Sequence, residues 1–329
     1  MSEVKSLFDE FLKNIEPTEQ AKNFAAKAHN PLREFLVNES DLSGLIERTF
    51  LYGSYKRYTA TGDIKDVDIV ICLLIDIENE YKDPTIILKK LKGCLAKFYG
   101  SAEYLEYQRR SIRVDQPLEG ADTELTLDII PAVSIKGEGT TLLVPDREQK
   151  IWVKSNPEAH IEFTNYLNSE NILDGKFVPL VKMIKHWWKY QYTLKYPDNH
   201  KIHPKGFWLE VLTGINVNTN NKDDSYAKLF ISILEAIRNK YSPTSIPVLE
   251  DPGIPGQNID TSMTIKNFQF FLDIVTDSLA LAIKAISAES DVESAMMWRK
   301  IFGPSFPSGV TKSGNTPITR VIPSGLWSC

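Results

Sequence analysis

Hydrophobic and polar positions follow three textures along the chain. Up to about residue 45 apolar residues recur at helical spacing. Leu7, Phe8, Phe11, Leu12 and Ile15 form a stripe, Pro17 interrupts it, Thr18 is placed to cap a second helix, and Pro31 stands where a third would start. From about 46 to 154 β-branched runs take over, at 67–77, 111–114, 124–133 and 141–144, with an amphipathic helix predicted over 84–99. Such alternation predicts a sheet carrying helices, not a bundle. From about 157 helical spacing returns, over 177–190, 207–212, 226–239, 265–288 and 290–302. The last of these opens on a capping box, Ser290 with Glu293, and stops at Gly303-Pro304. Beyond Phe306 the chain is rich in Ser, Thr, Gly and Pro, has no acidic residue, and reads as a flexible tail.

Composition narrows the class. The 329 residues carry a net charge of −5 and are 42% hydrophobic, which suits a globular protein with a substantial core and excludes disordered and collagen-like chains. Three cysteines, Cys72, Cys94 and Cys329, are too few and too scattered for a disulfide framework or a four-thiolate zinc site. The longest apolar run, 69–75, is far short of the roughly 20 residues needed to span a bilayer. The opening residues resemble neither a signal nor a transit peptide. The expectation is a soluble cytoplasmic protein with no membrane partner. Its acidic balance argues against coating nucleic acid and against specific DNA binding.

The chemistry concentrates at Gly53-Ser54, followed by Asp66-Val67-Asp68 at the head of an apolar strand. Side chains alternate along a strand, so Asp66 and Asp68 share a side, about 7 Å apart along the backbone. Two carboxylates entering a buried run are costly unless a divalent cation neutralises them, and Mg²⁺ suits oxygen ligands. In 124–130, Leu125, Leu127 and Ile129 take one face, while Glu124, Thr126 and Asp128 take the other. Asp128 is therefore an acid set in an apolar strand. Three converging aspartates can hold two Mg²⁺ ions, with Mn²⁺ as the alternative, for phosphoryl or nucleotidyl transfer. Gly53 lets backbone approach a phosphate, and Ser54 adds a hydroxyl and exposed N–H groups.

The predicted helix 177–190 supplies positive charge. Lys182, Lys185, His186 and Lys189 lie opposite an apolar side that includes Trp187 and Trp188. A solvated basic face is the ordinary meaning of such a stripe, but beside a triphosphate site Lys185 is placed to bind phosphates. Tyr55 and Tyr58, near Gly-Ser, are candidates to sandwich a base. Trp152, Trp187, Trp188 and Trp208 read as core. The pair His200 and His203 has zinc-like spacing without a nearby cysteine and reads as a loop pair.

Together the segments GSYKRYTATGDIKDVDIVICL, ELTLDIIPAV, LVKMIKHWW and WRKIFGPSFP resemble the bacterial CD-NTases, the cGAS/DncV-like nucleotidyltransferases of CBASS anti-phage defence. The likeness covers nearly the whole chain and looks closest to clades C and D, many of which make cyclic trinucleotides. It implies an α+β fold: a polymerase-β-like nucleotidyltransferase lobe of mixed sheet and helices, an all-helical C-terminal lobe, and an active site in the cleft between them. The implied division is N-terminal helices bracing both lobes (1–45), nucleotidyltransferase core (46–156), helical lobe (157–306) and tail (307–329). Gly53 and Ser54 match the family's triphosphate-binding pair, Asp66 and Asp68 its metal-binding Asp-x-Asp, Asp128 its third carboxylate, and Lys185 its helical-lobe lysine. Arg57 and Thr59 are implied near the nucleotides, and Arg110 near the acceptor. Lys205-Gly206 stands where many relatives have a phosphate-binding serine, and Lys205 can serve by its charge.

The resemblance implies synthesis of a cyclic di- or trinucleotide from ATP, with other NTPs as further substrates, and an effector reached through the product. It also implies control by HORMA/Trip13-like regulators or by C-terminal ligation enzymes. Two other readings stay open: a template-independent transferase acting on RNA or a small molecule, and a catalytically silent sensor. Retention of all three aspartates and of Gly-Ser weighs against silence.

Overall fold

The β-branched runs pair into one mixed sheet. The computed structural model describes residues 4–116, 125–198, 203–259, 261 and 263–309. Its strands are β1 (Ile46–Tyr52), β2 (Asp66–Leu73), β3 (Leu105–Tyr107), β4 (Ile112–Gln116), β5 (Leu125–Ser134), β6 (Leu142–Asp146) and β7 (Ile151–Ser155). They run in the order β1-β2-β5-β4-β3, with β6 paired to β5 and β7 to β6. Strands β2 and β5 are parallel, placing Asp68 beside Asp128, while β1 and β4 flank them antiparallel.

The central strands are apolar on both faces for a reason. Val67, Ile69 and Ile71 of β2 join the larger core under the sheet, with Leu127 and Ile129 of β5. Val70 and Cys72, with Ala132, Leu142 and Val144, form a second, smaller core on the opposite face. That second face also carries Asp66, Asp68, Thr126 and Asp128, because alternation puts even-numbered positions together. Its far half is therefore sealed by hydrocarbon, and its near half bears the carboxylates.

The helices are α1 (Lys5–Ile15), α2 (Glu19–Asn38), α3 (Gly53–Lys56), α4 (Thr85–Tyr99), α5 (Pro157–Asn168), α6 (Phe177–Lys195), α7 (Gly206–Asn216), α8 (Tyr226–Lys240), α9 (Ile265–Ile286) and α10 (Asp291–Phe302). Buried residues of α6 to α10 share one core with α1, whose Phe8 packs on Trp298 at 4.9 Å and whose Phe11 packs on Phe302 at 4.6 Å. In contrast, α2 lays Ala25, Leu32 and Leu36 into the core of the sheet. Trp187, Trp188 and Trp208 are core residues, as their apolar faces implied, and Trp152 is half-buried with its indole N–H on the Tyr81 carbonyl.

Two expectations need correction. No third helix starts at Pro31, which lies inside α2. The buried residues on either side hold the helix through the proline, so tertiary packing overrides the lost backbone bond. Strand β2 ends at Leu73, four residues before the predicted run 67–77 does, because its partner β1 begins at Ile46, opposite Leu73. Thr18 caps α2 by accepting from the Ala21 N–H, and Ser290 caps α10 by accepting from Glu293. Residues 310–329 of the expected tail, Glu124 and His200 lie outside the described residues. Among the described residues no helix is long and apolar enough to cross a membrane.

Candidate active site

Four neighbouring strands put one residue each into a single row across the sheet: Tyr52, Asp68, Asp128 and Arg113. Asp66 follows two positions before Asp68 on the same face, opposite Thr126. The three aspartates predicted to converge are thus brought together by strand register. Their mutual repulsion is visible. Burial first, then Asp128 and Asp66, push Asp68 up to about 6, and burial with Asp128 also raises Asp66. Asp128 is engaged from β4's side, accepting from Ser111 Oγ at 3.0 Å and from Arg113 Nη2 at 3.3 Å.

Gly53 follows Tyr52 directly and turns the chain at φ 71°. A Cβ built there would stand 1.8 Å from Asp68 Oδ2, so only glycine lets the turn pass over this carboxylate. The short helix α3 then carries Ser54 to the rim of the same cleft, a cavity of about 750 Å³ that also receives Arg110, Arg113, Lys185 and Lys205.

Lys185 is not on a solvated face. Its side chain is 11% exposed, and Nζ donates to Thr59 Oγ1 at 2.9 Å and to Glu210 Oε2 at 3.1 Å. Burial, and next the neighbouring Arg57, lower its pKa against the pull of Glu210. Lys182, one turn back, is also buried and pairs with Glu16 at the end of α1. Arg57 lies between the rings of Tyr52 and Phe207, 5.3 and 5.0 Å from their centroids, and donates Nε to Glu210 at 2.9 Å. Burial alone would raise the Glu210 carboxyl, but Lys185 and Arg57 outweigh it and hold it at about 2. Tyr52 is further tied through its hydroxyl to His160 Nδ1 at 2.7 Å, whose Nε2 lies 2.6 Å from Asp251.

Tyr55 and Tyr58 do not enter the cleft of the aspartates. They line a neighbouring cavity of about 400 Å³ with Glu16, Leu51 and Lys182, which shares Ala60 and Ile64 with the cleft. A four-residue helix presents Ser54 one way and Tyr55 the other, which spacing from Gly-Ser does not resolve. The aromatic side chains at the cleft are Tyr52 and Phe207. Sequence reasoning also missed Ser111, Arg113 and Glu210. A signal for Glu210 exists in Trp208-Leu209-Glu210-Val211-Leu212, a lone acid in an apolar helix, which is affordable only beside a buried cation.

The donor set is carboxylate oxygen throughout, the chemistry of a hard divalent cation. Among the described residues no three His, Cys, Asp or Glu side chains stand closed round one point. Both oxygens of Asp128 are held, one by Ser111 and the other by Arg113 of β4, so a bound ion has to compete with Arg113. Asp68 and Asp128 side by side in register, with Asp68 raised by burial and its neighbouring carboxylates, fit such an ion.

Comparison with known proteins identifies the family. The family described as the Second Messenger Oligonucleotide or Dinucleotide Synthetase domain, SMODS, matches residues 1–168. A cyclic AMP-AMP-AMP synthase from an Acinetobacter species is 35% identical over 94% of this chain and 87% of its own length. A cyclic AMP-AMP-GMP synthase from Enterobacter hormaechei is 27% identical over 93% of this chain and 92% of its own. CdnC from Escherichia coli MS115-1, solved with a HORMA protein and also with ATP, superposes with a TM-score of 0.70 at 18% identity, covering 92% of this chain and 98% of CdnC. With register, cleft and relatives in agreement, the chain belongs to the SMODS family of second-messenger synthetases, the bacterial CD-NTases, and is a nucleotidyltransferase.

Proposed function

We propose that this protein joins ATP, alone or with a second NTP, into a cyclic oligonucleotide, most naturally a trinucleotide. The observation that carries the reading is the row of Asp68 and Asp128 with Asp66, facing Gly53-Ser54 and Lys185 across one cleft. Relatives named as cyclic AMP-AMP-AMP and AMP-AMP-GMP synthases support the product class.

Asp66, Asp68 and Asp128 would hold two Mg²⁺ ions, Mn²⁺ being the alternative. When bound, such ions neutralise developing charge and make a hydroxyl easier to deprotonate. The chain's own groups do the rest. The Gly53 turn lets the triphosphate approach the backbone, and Ser54 offers its hydroxyl. Lys185 and Lys205 bring positive charge from the helical side, and Arg110 and Arg113 bring it from the sheet side. Arg57 and Thr59 serve the nucleotide through the cluster they form with Lys185. We assign 46–156 as the catalytic core, 157–306 as the helical lobe and 1–45 as a brace between them, since α1 and α2 enter different hydrophobic clusters. The product would act on a CBASS effector in the cytoplasm, a setting that suits the free thiols of Cys72 and Cys94. Control by a HORMA-type partner is supported by the complex solved for CdnC.

The test is incubation with Mg²⁺ and labelled NTPs, without RNA, followed by phosphatase. A resistant product that the Asp66→Ala/Asp68→Ala protein does not make is the expected result. Linear products alone, or strict dependence on added RNA, count against cyclisation, and equal product from the double variant removes the carboxylate assignment. Omitting each NTP in turn, with mass spectrometry of the product, identifies the bases.

A further inference from the structure

Apart from the aspartates, the acid most engaged with cations at the cleft is Glu210. Its side chain is fully buried, and its two oxygens accept from four residues on three segments. Arg57 donates at 2.9 and 3.4 Å, Thr59 at 3.1 Å, Thr164 of α5 at 2.8 Å and Lys185 of α6 at 3.1 Å. A structural ion pair needs one cation for one anion, and hydrocarbon of similar size often stabilises a core as well. Here one anion serves two cations, and both cations line the cleft beside Gly53-Ser54. The surplus positive charge therefore lies where a triphosphate would sit. Gly206 at the start of α7 lies against the lysine stem, where a Cβ would stand 3.4 Å from Lys185 Cε.

We propose that Glu210 is a positioning residue for nucleotide binding: it keeps Lys185 charged and, with Arg57, aimed at the triphosphate, joining the Gly53-Ser54 turn to α5, α6 and α7. This rests on the reading of the cleft as an NTP site. The charged and titratable groups around Lys185 leave the role to Glu210. Arg57 faces it from the segment after α3. Lys205 stands at the start of α7, and Lys182 one turn back on α6 is occupied by Glu16. On α5, His160 is engaged by Tyr52 and Asp251. Among these groups Glu210 is the acid that holds the Lys185 proton against burial and Arg57.

Glu210→Gln keeps the shape and removes the charge. The expected result is a KM for ATP raised tenfold or more with a smaller change in kcat, and an alkaline limb of kcat/KM moved to lower pH as Lys185 loses its proton sooner. Placing Lys185→Arg in the Glu210→Gln protein should restore that limb, because a guanidinium does not titrate in this range. Titration with ATP by calorimetry should show the same loss and recovery of affinity without turnover. A folded Glu210→Gln protein, by circular dichroism and Tm, with unchanged KM and unchanged limb overturns the proposal, as does a shifted limb that Lys185→Arg leaves in place. If Glu210→Gln does not fold, Lys185→Arg alone decides: the proposal expects the alkaline limb to move up, and an unmoved limb overturns it. Failure of the wild-type protein to bind or convert NTPs would instead remove the reading of the cleft.

Discussion

Asp68 carries two opposed demands on one carboxylate. As the proposed metal ligand it must be ionised to take a cation, yet burial, Asp128 and Asp66 push it up to about 6. A raised folded-state value means that the folded chain holds this proton more tightly than the unfolded one, so the group's contribution to stability falls as pH rises and is most unfavourable above 6. A shift of about two units corresponds to roughly 1–3 kcal/mol at pH 7. Asp68→Asn should therefore raise the Tm of the metal-free protein at pH 7, with little gain at pH 4, while abolishing product formation. Scans in a chelator at the two pH values check this, and an equal or lower Tm at pH 7 would refute it. The aspartates were legible because strand alternation and charge repulsion are local properties. Ser111 and Arg113 were not, because what brings them to Asp128 is the antiparallel register of β4 on β5, which no spacing in the chain encodes. Lys185 was picked out on its helix, but its burial depends on Glu210, 25 residues away.

At the level of elements, long periodic segments were read well and short ones poorly. The helices α4, α6, α8, α9 and α10 announce themselves by apolar spacing. Strands β1, β3 and β7 do not, since β3 has three residues and β1 is a half-buried edge strand. Yet β1 is part of the site, for it delivers Tyr52 beside Asp68 and leads directly into the Gly53 turn. Helix α2 shows the converse, a local stop signal overruled by packing. Pro31 is exposed while Ala25, Leu32 and Leu36 are buried, so the proline contributes no core contact to offset its missing N–H. Proline inside a helix costs about 3 kcal/mol relative to alanine, and its stiffening of the unfolded chain returns up to about 1. Pro31→Ala should thus stabilise the protein by about 2 kcal/mol without changing turnover. Denaturant titration measures the first and the cyclisation assay the second, and destabilisation would show that the proline sets a needed bend.

For the whole molecule, charge decides between free nucleotides and a polymer as the natural occupant. The net charge is −5, so there is no general attraction for a polyanion. At the cleft, Arg57, Lys65, Arg110, Arg113, Lys185 and Lys205 face Asp63, Asp66, Asp68 and Asp128, a nearly balanced set gathered in one cavity, not spread as a stripe. A protein that neutralises many phosphates loses affinity steeply with salt, by about 10³–10⁵ between 50 and 200 mM for six to ten contacts. A cleft filled by nucleotide triphosphates offers far fewer such contacts. Product formation at subsaturating ATP should accordingly fall by no more than about tenfold over that salt range, and an excess of single-stranded RNA should neither stimulate nor inhibit it. Removal of divalent metal, in contrast, should abolish product formation, because the carboxylates assigned as metal ligands then lack the ions that the transfer needs. RNA stimulation with a steep salt slope would mean that the cations continue into a groove, and would favour transfer to an RNA end over cyclisation.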